Sequence, residues 1–170
     1  MNTQTRNRVS LAVLAAALFV LILSAPASAA DQARMVGVGD APPVLVLRDQ
    51  HDKPGRVGKT AKKIVFAPDR DSGRIARVAL EPAGAEALER AGIRYIADIS
   101  RMPGFATRTF ALPTMRGYSF PVLLAQVDGQ AGMLPRRTGQ VTVLTITDGL
   151  IADVAYFRDS AALAAALGLD

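Results

Sequence analysis

The chain has 170 residues, half of them hydrophobic, with no cysteine and a single histidine, His51. The formal net charge of +5 falls to +3 once Arg6 and Arg8, in the first 29 positions, are set aside. That is too little positive charge for a nucleic-acid-binding surface. Without cysteine a buried apolar core has to stabilise the fold, and one histidine cannot build an ordinary zinc or haem site.

The first 29 residues have the pattern of a secretory signal peptide. Arg6 and Arg8 precede an apolar run from Leu11 to Leu23, and Ala27-Ser28-Ala29 supplies the small residues of a cleavage site. The apolar run is shorter than the ~20 residues of a membrane-spanning helix, although a retained anchor is the alternative. We therefore expect a periplasmic or secreted protein with one domain over residues 30–170 and no membrane span.

The start of that domain predicts a short strand followed by a polar turn. Val44–Leu47 is apolar and β-compatible, and Asp49–Gly55 is rich in turn-forming residues. His51 lies in this turn, where we expect it to be exposed to solvent.

The apolar run Ile64–Ala67 predicts a strand that ends in a polar elbow. Asp71 or Ser72 is the expected cap of a helix that runs from about Gly73. Ile93–Ile99 is the next β-type run. Strand, helix and strand over this distance make a βαβ unit, which implies parallel pairing of the two strands.

Three further segments follow in the second half of the chain. Phe105–Met115 has helical spacing of its apolar residues, and Phe120–Val127 is a third β-type run. Near the end, Asp159 or Ser160 is expected to cap a helix over Ala161–Leu167.

The clearest local signal is a β-hairpin. Val141–Thr147 and Leu150–Phe157 flank Asp148-Gly149, two residues that tolerate the positive φ angles of a type I′ turn. The first of these strands is largely apolar on both faces. This pattern is typical of a near-central strand covered by helices on both sides.

This order of elements resembles the thioredoxin-like superfamily in its peroxiredoxin-like elaboration. Gly39–Leu47 looks like that group's entry into the first strand. Phe120–Leu124 with Asp128-Gly129 is similar to its strand before the hairpin, and Val141–Ile151 to its closing hairpin. The resemblance implies an α/β fold, a thioredoxin-like three-layer sandwich with a mixed central sheet.

A closer likeness is to the exported YtfJ-like proteins, which have this fold without the redox cysteine pair. Val57-Gly58-Lys59 and Ile99–Gly104 match their landmarks. In a thioredoxin the two cysteines would fall near Asp71 and Arg74, and a cis-proline would stand at Gln140. Thiol–disulfide exchange and thiol peroxidase chemistry need a thiolate, so both are excluded.

Three polar clusters form a candidate binding face: the elbow after the Ile64–Ala67 strand, the end of the next strand, and the loop before the hairpin. Its residues are Asp69, Asp71, Ser72, Arg74, Arg101, Arg136, Arg137 and Gln140. Each cluster has a structural alternative. Acids at a helix start suit the helix dipole, Arg101 is expected to pair with Asp69, Asp71 or Asp98, and the Arg136–Arg137 loop is a solvated basic loop.

The sequence supports two interpretations of function. The first is a non-redox binding or accessory module whose partner is an exported protein or a small anionic ligand. The alternative is a hydrolase or a cofactor-dependent enzyme, such as a flavin enzyme, that uses Asp69, Asp71 and Arg101. No dinucleotide or phosphate-loop fingerprint is present. The sequence thus assigns no catalytic residue, no metal and no cofactor.

Overall fold

A computed structural model, which describes residues 34–58 and 60–169, contains one mixed seven-stranded sheet. The strands are β1 (Leu45–Asp49), β2 (Pro54–Val57), β3 (Lys63–Ala67), β4 (Ile93–Asp98), β5 (Leu123–Ala125), β6 (Val141–Thr147) and β7 (Leu150–Phe157). Their order across the sheet is β2-β1-β5-β4-β3-β6-β7. β4 pairs in parallel with β3 and β5, and the other neighbours are antiparallel.

Helical segments connect these strands. They are α1 (Arg70–Leu80), α2 (Gly84–Arg90), α3 (Gly104–Ala106), a π-helical turn (Thr107–Ala111), α4 (Leu112–Arg116) and α5 (Ser160–Leu167). Within the two described ranges, no helix is long and apolar enough to cross a membrane. The predicted signal peptide lies outside the described residues, so it stays a prediction.

The predicted βαβ unit is confirmed. β3 and β4 pair in parallel, with Val65 opposite Tyr95 and Phe66 opposite Ile96, and α1 and α2 make the crossover. All four side chains are buried. Parallel central strands have continuous apolar runs in their sequence because both of their faces are buried.

The predicted hairpin is also confirmed. β6 and β7 meet at Asp148 (φ 52°) and Gly149 (φ 78°), the two positive φ angles of a type I′ turn. The next helix, α5, is capped by Asp159, whose side chain accepts a hydrogen bond of 2.8 Å from the Ala162 amide.

Two hydrophobic clusters, one on each face of the sheet, form the core. The first cluster takes Leu80 from α1, Leu88 from α2, and Leu163 and Leu167 from α5. The second cluster is built on strand residues such as Phe66 of β3. Non-helical residues complete it: Val36, Ala61, Ala131 and Leu134. β6 is therefore buried on both faces, as predicted. Among the described residues, helices contribute to the first cluster and only strand and loop residues to the second.

β2 and β5 differ most from the sequence-based expectation. β2 begins inside the predicted turn, and His51 stays exposed in the tight connection before it. β5 is shorter than the predicted run Phe120–Val127 because Pro121 has no N–H to donate to a ladder. The side chain of buried Gln50 binds there instead: its Nε2 donates to the Phe120 carbonyl (2.9 Å) and its Oε1 accepts from the Val122 amide (2.8 Å).

The helical segment predicted over Phe105–Met115 is present but contains the π-helical turn. In this turn the Leu112 amide donates to the Thr107 carbonyl, five residues earlier. Pro113 follows directly; it has no N–H and its ring clashes with the carbonyl four residues before it. A wider turn removes both conflicts, which gives a physical reason for the π geometry at this point.

Leu163 of α5 is fully buried among the residues of the first cluster. We expect Leu163→Ala to lower the free energy of unfolding by about 2–5 kcal/mol, because it leaves a cavity in a core without disulfide support. Leu150→Ala, at a half-exposed position of the hairpin, is the control and should cost much less. Urea unfolding of the two variants measures both values; equal losses would contradict the assigned packing of α5.

Candidate functional site

The polar elbow after β3 is a helix cap. The Asp69 Oδ1 accepts from the Ser72 amide (2.9 Å) and the Ser72 Oγ accepts from the Asp69 amide (3.0 Å), which is a complete capping box. The prediction that Asp71 or Ser72 caps the helix is wrong. Asp69 has the extended backbone that a cap requires (φ −155°, ψ 178°), and Gly73 lies inside the first turn.

The second oxygen of Asp69 reaches a distant part of the chain. Its Oδ2 accepts a 2.7 Å hydrogen bond from the Gly139 amide, in what we call the strand-end loop, residues 135–140. Burial opposes ionisation of Asp69, but the hydrogen bonds from Ser72 and Gly139 outweigh it and lower the pKa of this carboxyl. Asp69 is therefore a charged acceptor at neutral pH and not a general acid.

Asp98, at the end of β4, also binds the strand-end loop. Its side chain is only 6% exposed, and its Oδ2 accepts from Arg136 Nη1 at 3.2 Å. Its Oδ1 accepts from the amide (3.0 Å) and the hydroxyl (2.6 Å) of Ser100. Arg136 also donates to the Ala131 carbonyl (3.1 Å) and lies 5.5 Å from the centre of the Phe66 ring. Its guanidinium is thus used inside the fold.

Four of the other predicted site residues are exposed, and Gln140 is half-buried. Arg101 is exposed and forms no ion pair within residues 34–58 and 60–169, so its expected pairing with an aspartate is wrong. Asp71 pairs with Arg74 at 3.3 Å, with both side chains exposed. Arg137 is exposed and its guanidinium stands 3.8 Å from the centre of the Tyr156 ring, a cation–π distance. The Gln140 amide donates to the Arg137 carbonyl at 3.1 Å.

A shallow cavity of about 330 Å³ opens at the carboxyl ends of β4 and β5. It is lined by Ile99, Ser100, Met102, Gly104, Thr107, Arg108, Leu112 and Gln126. Arg108 is the only charged lining residue, and the sequence analysis did not single it out. The helical spacing of Phe105–Met115 predicts which residues share a side of the helix. It does not predict that the side with Arg108 borders a cavity at the ends of β4 and β5.

The residues of the enzyme interpretation do not converge. Both oxygens of Asp69 already accept hydrogen bonds, Asp71 pairs with Arg74 at the surface, and Arg101 contacts neither acid. None of the three lines the cavity. No group of three potential metal ligands among His, Cys, Asp and Glu occurs in the described part of the chain. The geometry thus favours positioning of the strand-end loop over acid–base chemistry.

Comparison with known proteins identifies the fold. No protein-family model and no curated protein matches the chain. Three similar solved structures are the thioredoxin domain of a thiol-disulfide oxidoreductase from Bacteroides vulgatus, peroxidoxin BcpB from Mycobacterium tuberculosis and a peroxiredoxin-like protein from Aquifex aeolicus.

These likenesses cover most of each chain at low identity. The Bacteroides structure has a TM-score of 0.52 and 12% identity over 78% of this chain and 96% of its own. The Mycobacterium structure has a TM-score of 0.51 and 19% identity over 78% of this chain and 94% of its own. The Aquifex structure has a TM-score of 0.50 and 12% identity over 79% of this chain and 87% of its own. The chain therefore has the predicted α/β fold, a thioredoxin-like sandwich with a mixed sheet, while its sequence lacks the cysteines of thiol chemistry.

The lowered pKa of Asp69 predicts a pH-dependent contribution to stability. Because the folded pKa lies below the ordinary value of 3.8, this contribution is complete above that value and is lost as the pH falls through the folded pKa. We expect Asp69→Asn to remove that part of the acid sensitivity, because asparagine still caps a helix but carries no charge. Asp69→Ala should in addition cost about 0.5–2 kcal/mol at neutral pH through loss of the cap.

Urea unfolding at neutral and at acidic pH measures these effects. Asp71→Asn, at the exposed neighbouring acid, is the matched control and should keep the wild-type pH dependence. If Asp69→Asn kept it as well, the hydrogen-bonded carboxylate would not be its source.

Proposed function

We propose that this chain is an exported, non-redox binding module, close to the YtfJ-like proteins. Its partner is an exported protein or a small ligand, and the chain binds the anionic groups of that partner. The signal-peptide pattern of the first 29 residues supports export to the periplasm or beyond. The thioredoxin-like fold without any cysteine supports a role that does not depend on thiols. The landmarks Val57-Gly58-Lys59 and Ile99–Gly104 support the closer family.

The observation that carries the proposal is the distribution of charge where β3 and β4 end. The carboxylates of Asp69 and Asp98 accept hydrogen bonds from within the fold, and the exposed Asp71 is paired with Arg74. Arg101 and Arg137 are exposed, and neither forms an ion pair in the described ranges. The acids are thus occupied, and the free charges at this edge are cationic.

The two exposed arginines belong to neighbouring segments. Arg101 follows Ser100, which shares the Asp98 carboxylate with Arg136 of the strand-end loop, and Arg137 is the next residue of that loop. Stacking on Tyr156 restricts the Arg137 guanidinium, so less conformational entropy is lost when it binds. A guanidinium presents a planar fork of donors that fits a carboxylate or a phosphate.

Binding of anions to this edge is directly testable. Titration with inorganic phosphate and with polyglutamate, followed by backbone amide NMR, should shift the signals of Arg101 and of residues 137–140. The double variant Arg101→Gln/Arg137→Gln should weaken the affinity by roughly tenfold or more, since hydrogen bonds to charged groups contribute ~1.5–3 kcal/mol. Arg56→Gln is the control, because Arg56 is an exposed arginine of the edge strand β2.

Three results would contradict the proposal or part of it. Equal weakening by Arg56→Gln would show that binding depends on net charge alone, and the lack of any shift would show that the edge binds no anion. Thiol-dependent turnover of insulin disulfide or peroxide by the pure protein would overturn its non-redox part.

A further inference from the structure

Two phenylalanines protrude from the helical segment between β4 and β5. Phe105 is 73% exposed and Phe110 is 62% exposed. Their rings meet edge to face, with centroids 6.0 Å apart and planes at 85°. The π-helical turn lies between α3 and α4, and its wider winding lets residues five positions apart share one side of the segment. The result is an apolar protrusion on the surface of the domain.

The opposite side of the same segment is fixed to the core. Leu112 and Met115 pack against the first hydrophobic cluster, and the Arg116 Nε donates to the Gln50 carbonyl at 3.1 Å. The protrusion thus stands on an anchored element, which holds the two rings in place.

The charges carried by this segment of the chain have one sign. Between Asp98 and Asp128 the sequence contains no acidic residue and has basic side chains only at Arg101, Arg108 and Arg116. Arg101 and Arg108 are exposed and form no ion pair in the part of the chain that the structure describes. Neither phenylalanine lines the cavity that Arg108 lines, so the rings do not form the wall of that pocket.

Protruding aromatic rings on a segment that carries arginines and no acids are the composition of a helix that lies on an anionic bilayer. A bound peptide would need a concave apolar groove or a free strand, and the two rings form neither. The segment Gly104–Arg116 is shorter than the ~20 residues of a membrane span. It can therefore lie on a bilayer but cannot cross one.

We propose that this segment docks the domain on an anionic lipid surface. Phe105 and Phe110 enter the boundary between headgroups and acyl chains, and Arg101 and Arg108 face the lipid phosphates. This surface activity goes beyond the proposed function and does not depend on which ligand occupies the arginine edge.

The sequence offers a clean reporter for the test because it contains no tryptophan. Phe110→Trp places a single tryptophan on the protrusion, and Leu150→Trp places one at a half-exposed position of the β6–β7 hairpin as the matched control. All seven strands and both core clusters lie between Val36 and Leu167. The chain without its first 29 residues therefore keeps every strand and core residue that the structure describes, and it avoids binding by the apolar leader; circular dichroism verifies its fold.

With vesicles of phosphatidylglycerol and phosphatidylcholine in equal parts, we expect the emission of the Phe110→Trp variant to shift to the blue and to be quenched by brominated acyl chains. Pure phosphatidylcholine vesicles and high salt should each reduce this response, because the arginine attraction is electrostatic. The Leu150→Trp variant should not respond. Sedimentation with the same vesicles should fall by roughly tenfold in a Phe105→Ser/Phe110→Ser variant and fall severalfold in Arg108→Gln.

Three results would overturn the proposal. They are an unchanged spectrum of Phe110→Trp, an equal response of Leu150→Trp, and a blue shift of Phe110→Trp with polyglutamate but not with vesicles. The last would assign the protrusion to an acidic polypeptide. Phosphate binding at the arginine edge is measured separately and without lipid, so failure of either proposal can be recognised independently.

Discussion

The carboxylate of Asp69 is shared by two segments that are far apart in the sequence, and the geometry of this end of the sheet depends on that sharing. One oxygen caps α1 through the Ser72 amide, and the other holds the Gly139 amide of the strand-end loop. Asp98 holds the same loop through Arg136. At the other end of the loop, the buried Thr142 hydroxyl donates to the Pro135 carbonyl at 2.8 Å. The strand-end loop is therefore tied to β3, β4 and β6.

This arrangement explains how a thioredoxin-like fold can exist without its usual chemistry. A reactive cysteine needs a free thiolate that is accessible at the start of the helix. Here the two cysteine positions fall near Asp71 and Arg74, which pair with each other at the surface. The Asp69 carboxylate that begins the helix has both oxygens occupied by hydrogen bonds, which stabilise its charge. Because Asp69 and Asp98 accept hydrogen bonds from within the fold, they do not pair with the nearby exposed arginines. A cationic edge follows from this internal use of the acids, and the proposed binding of anions rests on it.

The sequence predicted those parts of the fold that depend on local pattern. The parallel β3 and β4, the β6–β7 hairpin and the cap of α5 at Asp159 each follow from apolar runs or turn residues that lie close together in the chain. The second face of the sheet was not predictable in the same way. In the part of the chain that the structure describes, Val36 and residues near Leu134, which have no helical period, pack on this face. The Gln50 side chain that replaces ladder hydrogen bonds lies 70 residues from its carbonyl partner.

The sequence predicted that the ends of β3 and β4 lie side by side, but not which side chains contact each other there. Strand ends in an α/β sheet identified the elbow after β3 and the end of β4, and the structure brings the strand-end loop to both. Which arginine pairs with Asp98 could not be read from composition, since Arg101 and Arg136 are chemically identical. Arg136 pairs with it because the loop passes over Phe66 and brings that guanidinium beside the carboxylate. Arg101 lies closer in sequence but is left at the surface.

The central claim is that the aspartates at the strand ends fix the strand-end loop. A double-mutant cycle of Asp98→Asn and Arg136→Met, measured by urea unfolding at neutral pH, tests it most directly. The predicted result is a favourable coupling energy of about 1 kcal/mol or more, because the pair is largely buried and its partners share hydrogen bonds. Effects of the two substitutions that simply add, within about 0.5 kcal/mol, would contradict the account.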